Sequence, residues 1–176
     1  MGGKIYESFI EVEQSTSAGK FSNEAELQQA FIEALKVELK RLCESMNKGK
    51  FYEYGLVPFI NRTITATRPD IRLGNLIVEI EPPNSDLSNG RKQLRNYICE
   101  LSKSLGGNVE IHGIVTNGVE AEYWYFREGS CDDIIKKAYN KMSTIMSYVL
   151  HVFCSNKITI TDPEQLTAIF GVLNHE

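Results

Sequence analysis

Few residues in this sequence are suited to bind zinc or to form a redox centre. The chain has 176 residues, of which four are cysteine and three are histidine. No two cysteines form a C-x-x-C pair and no histidine stands at ligand spacing from another, so the sequence predicts neither a zinc site nor a thiol redox site. We expect the cysteines to be small buried apolar residues. The residues concerned are Cys43, Cys99, Cys131, Cys154, His112, His151 and His175.

Long apolar runs are also missing. The most apolar stretch, from Ile145 to Cys154, is too short to span a bilayer. The first residues include acids and no apolar segment, which does not fit a signal peptide. Gly2 is not followed by the Ser or Thr at position 6 that myristoylation requires. The sequence therefore predicts a cytoplasmic protein that makes no contact with a membrane.

An excess of positive charge is absent as well. The net charge is −4, with 24% charged and 42% hydrophobic residues, which is typical of an acidic globular domain. Proteins that coat nucleic acid usually carry an excess of Lys and Arg, so any nucleic-acid site here must be local. Arg91 and Arg95 on one predicted helix, together with Arg62, Arg68 and Arg72, could form a local basic strip. The alternative interpretation is that these arginines are scattered and solvated. The predicted backbone-binding residues are Arg68, Arg72, Arg91 and Arg95.

The hydrophobic periodicity predicts a succession of helices and strands. The predicted helices cover 23–47, 87–105, 132–153 and a terminal segment from residue 162. The predicted extended segments cover 56–59, 63–68, 76–81, 109–116, 121–127 and 158–160. A tight turn at Gly74 and Asn75 joins the second and third of these segments into a hairpin.

This order of elements predicts an α/β (α+β) fold with a mixed central β-sheet flanked by helices. The strand that ends at Glu81, the helix after it and the strand from Val109 form a β-α-β unit, so these two strands should be parallel with a right-handed crossover. We expect a single domain over residues 1–176, with its core at about 23–127 and a helical extension at about 131–176.

Acidic residues at one end of the predicted hairpin are the first candidates for a functional site. Glu79 and Glu81 lie two apart on a strand, so their side chains leave the same face. Folding of the hairpin can bring Asp70 beside Glu79. Carboxylates this close repel one another unless a cation lies between them, and Mg²⁺ prefers such oxygen ligands. The alternative is that both glutamates lie on the solvated face of an edge strand.

Several motifs in this region resemble a nuclease family. Arg68-Pro69-Asp70 followed by Glu79-Ile80-Glu81 is similar to the signature of the PD-(D/E)XK nucleases. Gln93-Leu94-Arg95-Asn96-Tyr97 resembles the Q-x-x-x-Y helix motif of RecB-like nucleases and of type I restriction domains. The resemblance covers about Asn23 to Arg127 and implies a restriction-endonuclease-like core.

Two further segments extend the resemblance. Asn23-Glu24-Ala25 is similar to the start of the first helix in such domains, where the Glu aids metal binding. The segment from Gly113 to Gly118, followed by Tyr123-Trp124-Tyr125, resembles the strand pair that completes the core.

The resemblance implies a Mg²⁺- or Mn²⁺-dependent hydrolysis of DNA, in restriction or repair. Asp70 and Glu79 would hold the metal with outer support from Glu24. Glu81 would position or deprotonate the attacking water. Gln93 and Tyr97 would orient the phosphate. The family also allows a homodimer, and other domains or subunits of a restriction system as partners, including a larger enzyme of which this chain is one domain.

One departure from the family pattern leaves a second function open. The signature lysine is replaced by Glu81, and Lys92 is a conceivable substitute for it. A catalytically inactive module of the same fold, binding nucleic acid or protein, is therefore the alternative. A core-edge packing role is the corresponding alternative for Tyr97. A two-carboxylate glycoside hydrolase is a third interpretation, but aromatic sugar platforms near the acids are missing.

Overall fold

A computed structural model describes residues 7–45, 71–73, 76–104, 110–127, 129 and 133–154. The described chain forms four helices and five strands. In chain order these are α1 (Glu7–Ser17), α2 (Glu24–Ser45), β1 (Ile71–Leu73), β2 (Leu76–Ile80), α3 (Ser88–Ser104), β3 (Ile111–Thr116), β4 (Glu120–Phe126), β5 (Ile135–Lys141) and α4 (Met142–Cys154).

The strands form one mixed sheet in the order β1-β2-β3-β4-β5. β2 and β3 are parallel, which confirms the predicted β-α-β unit. The other neighbouring pairs are antiparallel. The strand paired with β2 is Ile71–Leu73, which follows the strand expected at 63–68, so the hairpin has a later first strand than predicted. The α/β class with helices on a mixed sheet is thus confirmed. The expected strand at 63–68 lies outside the described residues, as do the segments at 56–59, 158–160 and beyond 162.

Helix α3 covers one face of the sheet. Its apolar stripe meets side chains from β2, β3 and β4 in a buried cluster. The members of this cluster are Ile77, Leu87, Leu94, Ile98, Leu101, Ile111, Val115, Trp124 and Phe126. A Cβ atom on Gly113 would lie 2.8 Å from Leu94 Cδ1, so the missing side chain on β3 is what lets α3 approach this closely.

Helices α1, α2 and α4 form the layer on the other face. Phe9 of α1 packs against Phe31 of α2 with ring centroids 5.3 Å apart. Tyr148 of α4 packs against Tyr123 of β4. The side chain of Tyr123 points to the face of the sheet opposite that of Trp124. Helix α1 was not predicted from the sequence. Few of its residues are apolar, so its hydrophobic periodicity is weak. The helix is stabilised by the burial of Phe9, Val12 and Thr16 against the rest of the fold.

The predicted helix at 132–153 is wrong over its first part. Residues from Ile135 to Lys141 form β5, and the helix begins only at Met142. β5 obtains its backbone hydrogen bonds from β4, a partner that local periodicity cannot reveal, and such pairing overrides helix propensity. The sheet therefore continues beyond residue 127, into the segment expected to be a helical extension.

The cysteine expectation is also corrected. Cys99 on α3 is disulfide-bonded, although the sequence analysis expected a small buried apolar residue. Among the described residues, no helix is both long and apolar enough to cross a membrane.

Candidate active site

Glu79 and Glu81 are buried on the face of the sheet that α3 covers. Glu79 is 2% exposed and Glu81 is 4% exposed. β2 lies between β1 and β3, so the alternative of a solvated edge strand is wrong. In register, Glu79 stands beside Val115 of β3, and Val115 stands beside Glu122 of β4. Partners in register share a face, so Glu79 and Glu122 flank Val115 in one row.

The first turn of α3 lies directly over this row. A Cβ atom on Gly90 would lie 2.6 Å from Val115 Cγ2 and 2.8 Å from Glu81 Cγ. Only a glycine allows this approach without displacement of those side chains. The side chain of Glu81 is thereby held against the helix N-terminus, where the helix dipole favours negative charge.

Glu122, at the other end of this row from Glu79, forms an ion pair with Arg91 of α3. Arg91 donates from Nε to Glu122 Oε2 at 2.6 Å, and its Nη2 lies 2.5 Å from the same oxygen. Trp124 Nε1 donates to the other oxygen, Oε1, at 3.0 Å. The hydrogen bond that Arg91 donates to Glu122 raises the pKa of Arg91 above its ordinary value, so the guanidinium remains charged. Sequence reasoning missed Glu122, although an acid inside the apolar strand AEYWYF is a usable signal.

The loop between β2 and α3 is tied to the turn between β3 and β4. Asn117 donates from Nδ2 to the carbonyl oxygen of Ser85 at 2.6 Å. Asn84, in the left-handed region at φ 61°, donates from Nδ2 to the carbonyl oxygen of Thr16 at 3.0 Å. Asp86 Oδ1 accepts from the backbone N–H of Ser88 at 2.7 Å, which lowers the pKa of that carboxyl. These bonds fix where α3 begins relative to Glu81.

The predicted phosphate-orienting residues lie further along α3. Gln93 and Tyr97 are half-buried. Tyr97 packs against the apolar cluster beneath the helix, in agreement with a core-edge role. Arg95 is exposed.

The remaining predicted residues are not brought together by the described part of the chain. The described register of β1 with β2 ends at Ile71 beside Val78, so the predicted pair of Asp70 with Glu79 lies outside the described residues. The same holds for Arg68 and for the side chain of Arg72. Glu24 begins α2, which belongs to the helix layer on the face of the sheet opposite Glu79.

Of the predicted metal ligands, Asp70, Glu79 and Glu24, the described part of the chain places Glu79 on this face. Glu81, which was predicted to act on the attacking water, leaves the same face. Mg²⁺ is commonly held by one or two carboxylates, with water and substrate phosphate completing its shell, so the chemistry of these two donors fits the ion. Within the described ranges, no group of three or more His, Cys, Asp or Glu side chains could hold a metal. Asp70 is therefore the residue on which a complete ligand set depends.

A second buried polar cluster lies on the opposite face and takes no part in this site. Tyr123 OH is hydrogen-bonded to His112 Nδ1, and His112 Nε2 lies 3.8 Å from Glu110 Oε2. Tyr125 OH donates to Glu110 Oε1 at 2.9 Å. Burial raises the pKa of Tyr123 above its ordinary value. These contacts join β3 to β4 and give His112 a structural role.

Comparison with protein-family models, with curated proteins and with solved structures finds no match to this chain.

Proposed function

We propose that the protein is a Mg²⁺- or Mn²⁺-dependent nuclease that hydrolyses phosphodiester bonds of DNA. The burial of Glu79 and Glu81 on one face of an interior strand carries this proposal. Two carboxyl side chains that leave one face of a strand are oxygen donors of the kind that Mg²⁺ and Mn²⁺ prefer. A metal held there would bring positive charge to the phosphate of the substrate.

The proposal gives each residue a role. Glu79 and Asp70 would hold the metal, which when bound neutralises phosphate charge and lowers the pKa of a water. Glu81 accepts a proton from the water as its oxygen attacks phosphorus. The bond to the leaving oxygen breaks, and that oxygen takes a proton from solvent. Gln93 and Tyr97 orient the substrate from α3.

A non-catalytic module on the same fold is the second candidate. Two observations favour it. Glu81 adds a negative charge where the similar family has a lysine, and Tyr97 packs on the apolar cluster of α3 as a structural residue would. Such a module would bind DNA or protein without hydrolysis.

Incubation of the purified protein with plasmid and oligonucleotide DNA tests the proposal. We expect cleavage with Mg²⁺ or Mn²⁺ and none with a chelator. Asp70→Asn and Glu79→Gln should abolish cleavage, whereas Glu100→Gln, an exposed carboxyl on α3, should cleave as wild type does. Absence of cleavage with either metal on any nucleic acid would favour the non-catalytic module.

A further inference from the structure

We infer that Arg91, held in place by Glu122, binds the phosphate of the substrate and supplies the positive charge that Glu81 cannot. This inference rests on the proposed nuclease function. It assigns the anion-binding part of that site to an ion pair between α3 and β4.

The charges around the first turn of α3 create the need for such a cation. Three carboxyl groups lie against this turn: Glu81 packs on Gly90, Asp86 accepts from Ser88 and Glu122 pairs with Arg91. A phosphodiester brings a further negative charge, and phosphoryl transfer requires positive groups positioned for it. A cation that belongs to the protein lowers the repulsion between the substrate and these carboxylates.

Arg91 is prepared for this task by its contacts. Glu122, whose side chain is 6% exposed, holds the Nε–Nη2 edge of the guanidinium, while the Arg91 side chain is 37% exposed. Glu122 is in turn fixed by Trp124. A guanidinium has five N–H donors, so donors remain for a phosphate after the contact with Glu122. A charged group that is already oriented loses little entropy when it binds an anion.

The position of Arg91 matches the predicted metal-binding residues. Neighbouring strands lie about 4.8 Å apart, so Glu79 and Glu122, two strands apart, have Cα atoms roughly 10 Å from each other. Gly90, the residue before Arg91, packs on Glu81. Arg91 therefore follows the residue of α3 that packs on Glu81, so the two side chains belong to the same end of the helix. The helix N-terminus itself favours an anion there.

Lys92 fits this role less well than Arg91. It follows Arg91 on α3, and its side chain is exposed. No buried carboxylate is recorded in contact with it among the described residues. An ammonium on a long exposed side chain must lose more conformational freedom to reach a fixed phosphate.

Cleavage kinetics of Arg91 variants test the inference. Arg91→Ala should lower kcat/KM by about 100-fold, the loss typical of one preorganised charge-stabilising donor. Millimolar guanidinium should restore part of this activity. Lys103→Ala, which removes one positive charge at the other end of the helix, should cleave as wild type does.

Folding must be separated from function in this test. Arg91→Ala leaves Glu122 buried without its cation, which destabilises a fold strongly. The double variant Arg91→Gln with Glu122→Gln keeps a neutral hydrogen-bonded pair and should fold with a Tm near that of wild type. We expect it to cleave as poorly as Arg91→Ala. Wild-type cleavage by this folded double variant would overturn the inference and leave the proposed function standing.

Binding without catalysis separates the two proposals further. A fluorescent oligonucleotide is titrated with the protein in the presence of a chelator at two salt concentrations. In the double variant, the loss of one phosphate contact should weaken binding and reduce the slope of log K against log salt by roughly one. In Lys103→Ala, the affinity and the slope should be those of wild type. If wild type fails to cleave, the nuclease proposal fails, and this slope alone decides whether Arg91 binds phosphate. An unchanged slope would overturn the inference.

Discussion

Glu38 illustrates how a single buried carboxyl joins two helices. It lies on α2 with no exposed surface. Its Oε2 accepts from the backbone N–H of Ser8 at the start of α1 at 3.1 Å, and its Oε1 accepts from Arg41 at 3.2 Å. Burial raises the pKa of Glu38, whereas the contacts with Ser8 and Arg41 lower it. The effect of burial is larger, so the pKa lies above its ordinary value of 4.5.

The raised pKa predicts how Glu38 affects stability. The folded state binds the proton of Glu38 more tightly than the unfolded state does, so its contribution is largest below the ordinary pKa and is lost as pH rises through the folded pKa. The free energy of unfolding of wild type minus that of Glu38→Gln should therefore fall as pH rises from about 4.5. Urea unfolding over a pH series measures this difference. A difference that grows with pH would mean that the contacts with Ser8 and Arg41 outweigh burial.

Gly118 offers a second prediction at this scale, with Gly19 as its control. Both have positive φ, at 91° and 72°. A Cβ on Gly118 would lie 2.5 Å from Thr16 Oγ1, whereas a Cβ on Gly19 would meet no atom within 4 Å. Gly19→Ala should cost about 1 kcal/mol from the backbone alone. Gly118→Ala should cost a further 1–3 kcal/mol or so from overpacking. Equal losses in urea unfolding would contradict the predicted crowding against Thr16.

Elements with strong local signals could be predicted from the sequence, and those that depend on distant partners could not. α3 and β2 are bounded by proline, glycine and regular apolar spacing. β5 lacks such a signal, because its residues gain order only by pairing with β4. α1 is stabilised in the same way, through Phe9 on Phe31.

The assignment of β5 can be tested with Ala138, which is exposed on this strand. β-Branched residues favour strands and disfavour helices. Ala138→Val should leave the free energy of unfolding unchanged or raise it, whereas Ala25→Val, at an exposed position of α2, should lower it by about 0.5 kcal/mol. Hydrogen exchange should show alternating protection along 135–141. Continuous protection there, with a loss in Ala138→Val, would favour the helix first expected.

At the scale of the whole molecule, the candidate site is assembled from segments distant in sequence. Glu79 and Glu81 could be predicted because two same-face acids interrupt an apolar strand. Glu122 could not be assigned to the site, since its place depends on the register of β3 with β4. The contact of Arg91 with Glu122 depends additionally on the close packing of α3 over Val115, which Gly90 permits. The site therefore forms only in the complete fold.

This dependence predicts that divalent metal stabilises the entire domain. A ligand that binds only the folded state adds about 1.4 kcal/mol at ten times its Kd, which for a domain of this size raises Tm by about 3–6 °C. Thermal unfolding with Mg²⁺ or Mn²⁺ against a chelator measures the shift. Glu79→Gln and Asp70→Asn should abolish it, and Glu100→Gln should retain it. Glu81→Gln should retain part of the shift while losing cleavage, because its proposed role is to take a proton from water. A shift that persists in Glu79→Gln would place the metal elsewhere and remove the main support for this site.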